Sequence, residues 1–415
     1  FFTTKPFEIE DKKRTILAPF FSEYLSPMIE ALFSLAGYEI VTLPMSNQSS
    51  IDAGLEYVNN EVCYPCTLVV GDLIKALKSG KYDLSKTAVA LTQTGGQCRA
   101  TNYVALLKKA MTEAGFKDVP VVAVATNGTF FNEQPGFEVN WFKIAPVAIR
   151  VMYFADSISK FYASTVVREK SKGVAIHLRD KYLNEGVALV RSGNSKKLIK
   201  LIAKAAKEFN DNAVDTLKPI PKVGVVGEIY LKFNAFSHKY VTTWLQEQGI
   251  EVIPPIITPF FLQSFVNRKV KISERLDTSK VPSFLMNLVY KSVKRYMNKV
   301  NKVASDFRFF IPFNDIFEEA ENAQNVVSLS AQFGEGWLIP AEFVSFAKMN
   351  VHNVVSLQPF GCIANHVISK GIEKRIKDMY PQMNLLFLDF DSGVSDVNVL
   401  NRLHLLVNNL QEESK

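Results

Sequence analysis

The stretch "KVGVVGEIYLKFNAFSHKYVTTWLQEQGIEVIPP", Lys222–Pro255, decides the fold class. A short valine-rich run is followed by a loop, an amphipathic stretch ending at Gly249, and a second apolar run. Strand, helix and strand in that order imply parallel strands joined by a crossover helix. The opening "RTILAPFFSEYLSPMIEALFSLAGYEIVTLP", Arg14–Pro44, has the same order of units without being a sequence repeat. Further on, "TLVVGDLIKALKSG" and "ATNYVALLKKAMTEAG" read as helices, and "KTAVALTQ" and "VPVVAVAT" as strands. Gly37, Gly80 and Gly115 fall where helices need a left-handed terminating residue. From about Phe137 to Asn212 the pattern is helical only. After the second opening, residues 257–302 form a helical insertion. The alternation then resumes with the strand "VHNVVSLQPF", the helix "IANHVISKGIEKRIKDMY", the strand "NLLFLDF" and the helix "VNVLNRLHLLVNNL". The expected architecture is α/β: two Rossmann-like domains with parallel sheets, residues 1–136 and 221–415, and a cleft between them. A mainly helical segment, 137–220, connects the two.

Composition narrows the function. With 415 residues, 47% apolar and 21% charged, the chain has the profile of a soluble protein with sizeable cores. No apolar run reaches membrane-spanning length, so no membrane is expected as a partner. Four cysteines are too few for a disulfide scaffold, and a cytoplasmic location is expected. The chain opens on Phe1 without an initiator Met, which fits a processed start or a piece of a longer polypeptide. The net charge of +7 comes from lysines spread over helix faces, as in "SKKLIKLIAKAAKEF". A solvated surface is the plain reading, and attraction for anionic ligands such as coenzyme A phosphates is the sharper one. No arginine-rich tract or aromatic-interleaved basic stretch points to nucleic acid. No P-loop or glycine-rich dinucleotide fingerprint is present.

The cysteines carry the chemistry. Cys63 and Cys66 form "CYPC" at the mouth of a helix. Cys98 follows the strand "KTAVALTQ" and the short "TGG"; Cys362 follows the strand "NVVSLQPF" and Gly361. All four lie at junctions leading into helices. In open α/β sheets the carboxyl ends of strands are where ligands bind, and helix starts offer free amide donors suited to thiolates and anionic groups. A redox couple would use only Cys63 and Cys66 and leave the other two unexplained. Structural zinc usually takes two knuckles, and only one is present. Four unrelated buried thiols would be scattered through cores. An iron–sulfur cluster accepts a pair plus distant single cysteines. Spacing alone leaves all four readings open.

Secondary candidates lie near these junctions. His366 follows Cys362 by one turn and is placed to donate to a cluster sulfide or a ligand, unless it is only a helix-face histidine. His238 has a similar junction position. Glu228, Tyr230 and Asn234 sit in the loop after "VGVVG", placed to bind a substrate or to shape the loop. "FGEGWL" is a glycine turn carrying Glu335, a possible cleft acid or a plain turn. Asp389, Asp391 and Asn398 cluster at the last strand end, where paired carboxylates do acid–base work and capping is the commoner role.

The segments "NEVCYPCTLVVGDLIKAL", "TQTGGQCRATNY", "VGVVGEIYLKFNAFSHKYVTTWLQEQGIEV", "GEGWL", "QPFGCIANHV" and "LDFDSGVSDVNVLNRL" occur in that order. Together they resemble the C-terminal region of the large acyl-CoA dehydratase activase-related proteins, relatives of the 2-hydroxyglutaryl-CoA dehydratase system. The resemblance covers about Arg14 to Leu406. It implies a [4Fe-4S] cluster in an interdomain cleft, ligated by Cys63, Cys66, Cys98 and Cys362, in an anaerobic setting; His366, Glu228 and Asn234 are expected near it from their junction positions. Activases also carry an ATPase domain with phosphate loops of the type D-x-G-x-[ST]. Only "DSGVS", Asp391–Ser395, fits here, and it reads better as a strand end and a helix cap at Ser395. The expected role is therefore low-potential electron transfer with a separate ATP-dependent activator, from a cluster closed by four cysteines. The alternatives are a dehydratase-like or reductase-like enzyme that binds an acyl-CoA or other small substrate at an open iron, and a structural zinc protein.

Overall fold

The computed structural model describes residues 3–94, 97–125, 132–214, 219–277 and 281–413. The first α/β unit runs β1 (Thr15–Ala18), α1 (Ser26–Ser34), β2 (Glu39–Thr42), α2 (Gln48–Leu55), α3 (Tyr64–Lys78), β3 (Thr87–Gln93), α4 (Tyr103–Glu113) and β4 (Val121–Ala125). Three long helices follow: α5 (Trp141–Val166), α6 (Val174–Arg191) and α7 (Leu198–Asn212). The second unit opens with β5 (Lys222–Gly227), α8 (Ile229–Phe233), α9 (Val241–Glu247) and β6 (Glu251–Ile253). It is interrupted by α10 (Thr258–Ser273), α11 (Ser283–Ala304), α12 (Ile316–Gln324) and α13 (Leu338–Lys348). It closes with β7 (Asn353–Pro359), a π-helical stretch Ile363–Ser369, α14 (Glu373–Met379), β8 (Asn384–Phe390) and α15 (Asp396–Glu413).

The two sheets have one topology, β2-β1-β3-β4 and β6-β5-β7-β8, and every pairing is parallel. These are two Rossmann-like units. Helices cover both faces, so the strands are apolar almost throughout; every residue of β7 is buried. In each unit the chain leaves the first strand in one direction and the third in the other. The crevice at that reversal, between β1 and β3 and between β5 and β7, is where such sheets bind ligands.

The expected elements are present, and their limits explain the differences. Gly37, Gly80 and Gly115 all take positive φ at helix ends. The helix expected from Ser22 starts at Ser26, because Glu23–Leu25 form a turn. The single helix expected over 363–380 is broken into the π-helical stretch and α14. Helices α2, α8, α12 and α13 had no counterpart in the sequence: α8 stands where a loop was expected after β5, the helix expected from Ala235 starts as α9 at Val241, and α2 hides in a polar "NQSSIDAGLEY". The helices after residue 137 and those of the insertion share one core, with Phe161, Phe209, Met297 and Trp337 at its centre. No helix among the described residues is long and apolar enough to cross a membrane.

Packing of α2 on α3 fixes the helix that carries Cys66. The two helices approach through Gly54 and Gly71. A Cβ at Gly71 would lie 1.8 Å from the Ser50 carbonyl oxygen, and one at Gly54 would lie 2.1 Å from the Thr67 carbonyl oxygen. These are backbone atoms and cannot step aside. Gly71→Ala should therefore cost about 3 kcal/mol, the upper range of overpacking, read as a lower urea midpoint at unchanged slope. An unchanged midpoint would show that α2 and α3 can separate without penalty.

Candidate metal centre

Three of the cysteines occupy the same local position. Cys63 is the residue preceding α3, Cys98 precedes a 3-10 turn at Arg99–Asn102, and Cys362 precedes the π-helical stretch. All three have extended backbone, and none spends its side chain on capping. Cys66 lies in the first turn of α3 and is buried; the other three are half-buried. Cys98 and Cys362 are topological counterparts, each in the loop after the third strand of its sheet. Gly95 and Gly96 of the "TGG" lie outside the described residues.

These positions converge across the two units. A Cβ on Gly334, in the second unit, would lie 4.0 Å from the Cys98 sulfur. Cys63 is within electrostatic reach of both Cys66 and Cys362. Arg99 ties the loops together: its Nη1 donates to the carbonyls of Glu61 and Val62, both at 2.6 Å, just before Cys63. A Cβ on Gly361 would lie 3.9 Å from that same nitrogen. Two donors address the sulfurs directly. The Tyr103 hydroxyl donates to Cys63 Sγ at 3.0 Å, and Asn365 Nδ2 donates to Cys362 Sγ at 3.3 Å. Arg99, Tyr103 and Asn365 were not singled out in the sequence; the only signal was that each lies within five residues of Cys98 or Cys362.

The site is also acidic. Gly227, at φ 127, turns the chain sharply out of β5, and a Cβ there would strike the Leu357 carbonyl at 1.9 Å. The turn delivers Glu228, whose Oε2 accepts from Leu231 N at 2.9 Å. Glu335 is buried in its glycine turn and accepts from Ile229 N at 2.5 Å. Burial raises the pKa of both carboxyls, and Glu335 raises that of Glu228 further. Lys232, itself buried and paired with Glu342 at 3.2 Å, partly offsets the charge. Cys98 and Cys362 both feel Glu335 and Glu228. Glu335 thus lies within electrostatic reach of both Cys98 and Cys362.

Other expected residues are placed differently. Asn234 does not face a cleft. It is fully buried, with Nδ2 donating to the Tyr230 hydroxyl at 3.0 Å and Oδ1 accepting from Ser237 N at 3.2 Å. His366 turns to Asp389, with Nε2 at 2.7 Å from Oδ1, so the side chain beside Cys362 is Asn365. His238 is buried, its Nδ1 accepts from Val241 N at 3.1 Å, and burial lowers its pKa to about 4. It is a neutral cap for α9. Asp391 closes a local turn by accepting from Gly393 N at 2.7 Å, while Asp389 and Asn398 line a surface cavity with Arg402.

The donor set is four thiols, which suit zinc and an iron–sulfur cluster alike. Among the described residues no three His, Cys, Asp or Glu stand close enough to hold a single metal ion. Within five residues of a cysteine in the sequence, Tyr64 Oη, Gln93 Oε1, Gln358 Oε1 and Asn365 Oδ1 are buried without a hydrogen-bond partner, which is costly unless a ligand or solvent meets them. No protein-family model matches the chain, and no curated protein matches it significantly.

Burial pushes the Cys66 and Cys362 thiols up to about 12 and raises Cys63 and Cys98 as well, with acidic neighbours adding to Cys63, Cys98 and Cys362. Thiols raised in the folded state favour folding below their unfolded pKa and lose that contribution as pH rises toward about 12. Metal-free protein should therefore lose stability above about pH 9, and its thiolate absorbance should appear later on the pH scale than in the denatured chain. Coincident titrations of folded and denatured protein would contradict this.

Proposed function

We propose that the chain binds a [4Fe-4S] cluster between its two α/β units through Cys63, Cys66, Cys98 and Cys362. In this reading it passes low-potential electrons in concert with an ATP-dependent activator. The observation that carries the proposal is the convergence of thiols from both units on the crevice edges of two sheets with one topology. The bound cluster would supply one-electron chemistry at a potential set by burial and by hydrogen bonds to sulfur. The residues of the chain would do the rest. Tyr103 and Asn365 aim donors at the Cys63 and Cys362 sulfurs, which favours thiolate and tunes the ligands. Arg99 holds the Cys63 loop against the Cys98 loop. The Asp391 turn explains "DSGVS" without nucleotide, so the ATP-driven step is assigned to another protein or module.

A second reading has its own support. Glu228 and Glu335 are buried acids beside the cysteines; burial raises the pKa of both, and the neighbouring Glu335 helps push Glu228 up to about 8. Neutral carboxyls can donate protons to a bound substrate. The unpartnered amide oxygens of Gln93, Gln358 and Asn365 could accept from a ligand's N–H or O–H groups. That combination suits an acyl-CoA or other small substrate bound at an open iron, as in a dehydratase.

Protein purified without oxygen should be brown and hold roughly four irons per chain. Cys63→Ala and Cys98→Ala should each lose that iron. Colourless protein with one zinc would overturn the assignment. Electron paramagnetic resonance of the reduced cluster separates the two roles: a signal indifferent to acyl-CoA thioesters fits electron transfer, and a signal they shift fits a substrate at an open iron.

A further inference from the structure

We infer that the α10–α11 hairpin docks the protein on an anionic membrane surface. The apolar stripe of α11 runs its whole length at helical spacing, through Leu285, Val289, Val293, Met297, Val300 and Ala304. Its second half is buried in the helical core, with Val293, Met297, Val300 and Ala304 all covered. Its first half is bare: Leu285 and Val289 are exposed, as are Phe284 (66%), Leu288 (59%) and, at the end of α10, Leu276 (67%). Phe284, Leu285, Leu288 and Val289 thus leave the first turns of α11 apolar and exposed, with Leu276 exposed shortly after α10.

Charge identifies what covers it. Residues 258–304 hold ten Lys and Arg against two acidic residues, a net of +8 in a chain of +7, so the remainder is −1. A second copy would bring the same positive hairpin and be repelled. Lys271, Arg275, Lys291 and Lys299 are exposed and have no ion-pair partner among the described residues. Their placement is layered. At 1.5 Å per residue, Lys291 lies about 4.5 Å behind Leu288 and about 10 Å behind Phe284 along α11. Apolar residues at the start of α11 with cations set further along it give an end that can enter the headgroup region while the cations meet anionic lipid. The lack of a membrane-spanning run is compatible with this, because an interfacial hairpin needs none.

The test is co-sedimentation of the whole protein with vesicles of phosphatidylglycerol and, separately, phosphatidylcholine. Binding to the first and not the second, weakened by salt, is the expected result. Phe284→Ser with Leu288→Ser should weaken it at least about tenfold, as should Lys271→Glu, Arg275→Glu and Lys291→Glu together. All of these positions are exposed, so the thermal midpoint and iron content should stay at wild-type values. No binding to phosphatidylglycerol, or binding that both variants retain, would overturn the proposal. So would lipid-free self-association abolished by the Phe284 and Leu288 substitutions, which would make the tip an interface between copies.

Discussion

The Ser46 hydroxyl sits where the two α/β units meet, and the geometry of the candidate site depends on what it touches. It donates to Asp72 Oδ2 of α3 at 2.6 Å and lies 3.3 Å from the Tyr230 hydroxyl of α8. Asn234 donates to the same Tyr230 hydroxyl at 3.0 Å. Phe21 stacks on Phe233 beside them at 5.1 Å. A buried polar network of this kind is stabilising only when its members meet in one arrangement. It therefore fixes α3, with Cys66, against the turn that carries Glu228. Arg168, just past the end of α5, and Ser164 within it brace the far side by binding Glu251 of β6, at 2.8 and 2.7 Å. Two sheets that could slide past each other are held so that Cys98 meets Gly334 and Cys63 feels Cys362.

Much of this was legible in the sequence, because parallel sheets write themselves as apolar runs alternating with amphipathic helices. The strands, the helical connection and the shared strand–loop–helix–strand order could all be read from period and punctuation. So could the placement of the cysteines at helix entrances, since each follows a strand or a turn. Helices α12 and α13 escaped because they lie between an insertion and a strand, where periodicity had no frame. The role of Asn234 escaped for a different reason. A polar residue in a loop after a strand looks like a ligand-binding group, and only the partner unit, with Ser46, reveals it as a buried strut. His366 was read by its distance from Cys362, but the break into a π-helical stretch hands that position to Asn365. Arg99, which reaches two backbone carbonyls before Cys63, depends wholly on tertiary contact and left no pattern to read.

Thiols and carboxyls share one buried environment here, and that has a chemical consequence. Burial raises the pKa of the four thiols and of both Glu228 and Glu335, so it works against ionisation of all of them in the metal-free site. Loading with a cationic group would reverse that balance for the thiols, releasing protons as the ligands ionise. Glu228 and Glu335 lie within electrostatic reach of Cys98 and Cys362, so such protons would be released beside two carboxyls.

The central claim is that one metal group is ligated from both halves of the chain. Iron X-ray absorption of anaerobically reconstituted protein, measured for wild type and for Cys362→Ala, tests it most directly. Wild type should show an iron–sulfur shell together with an iron–iron shell, and the variant should lose sulfur scattering or lose the iron. A metal centre without iron–iron scattering, or a spectrum unchanged by removing Cys362, would contradict the account.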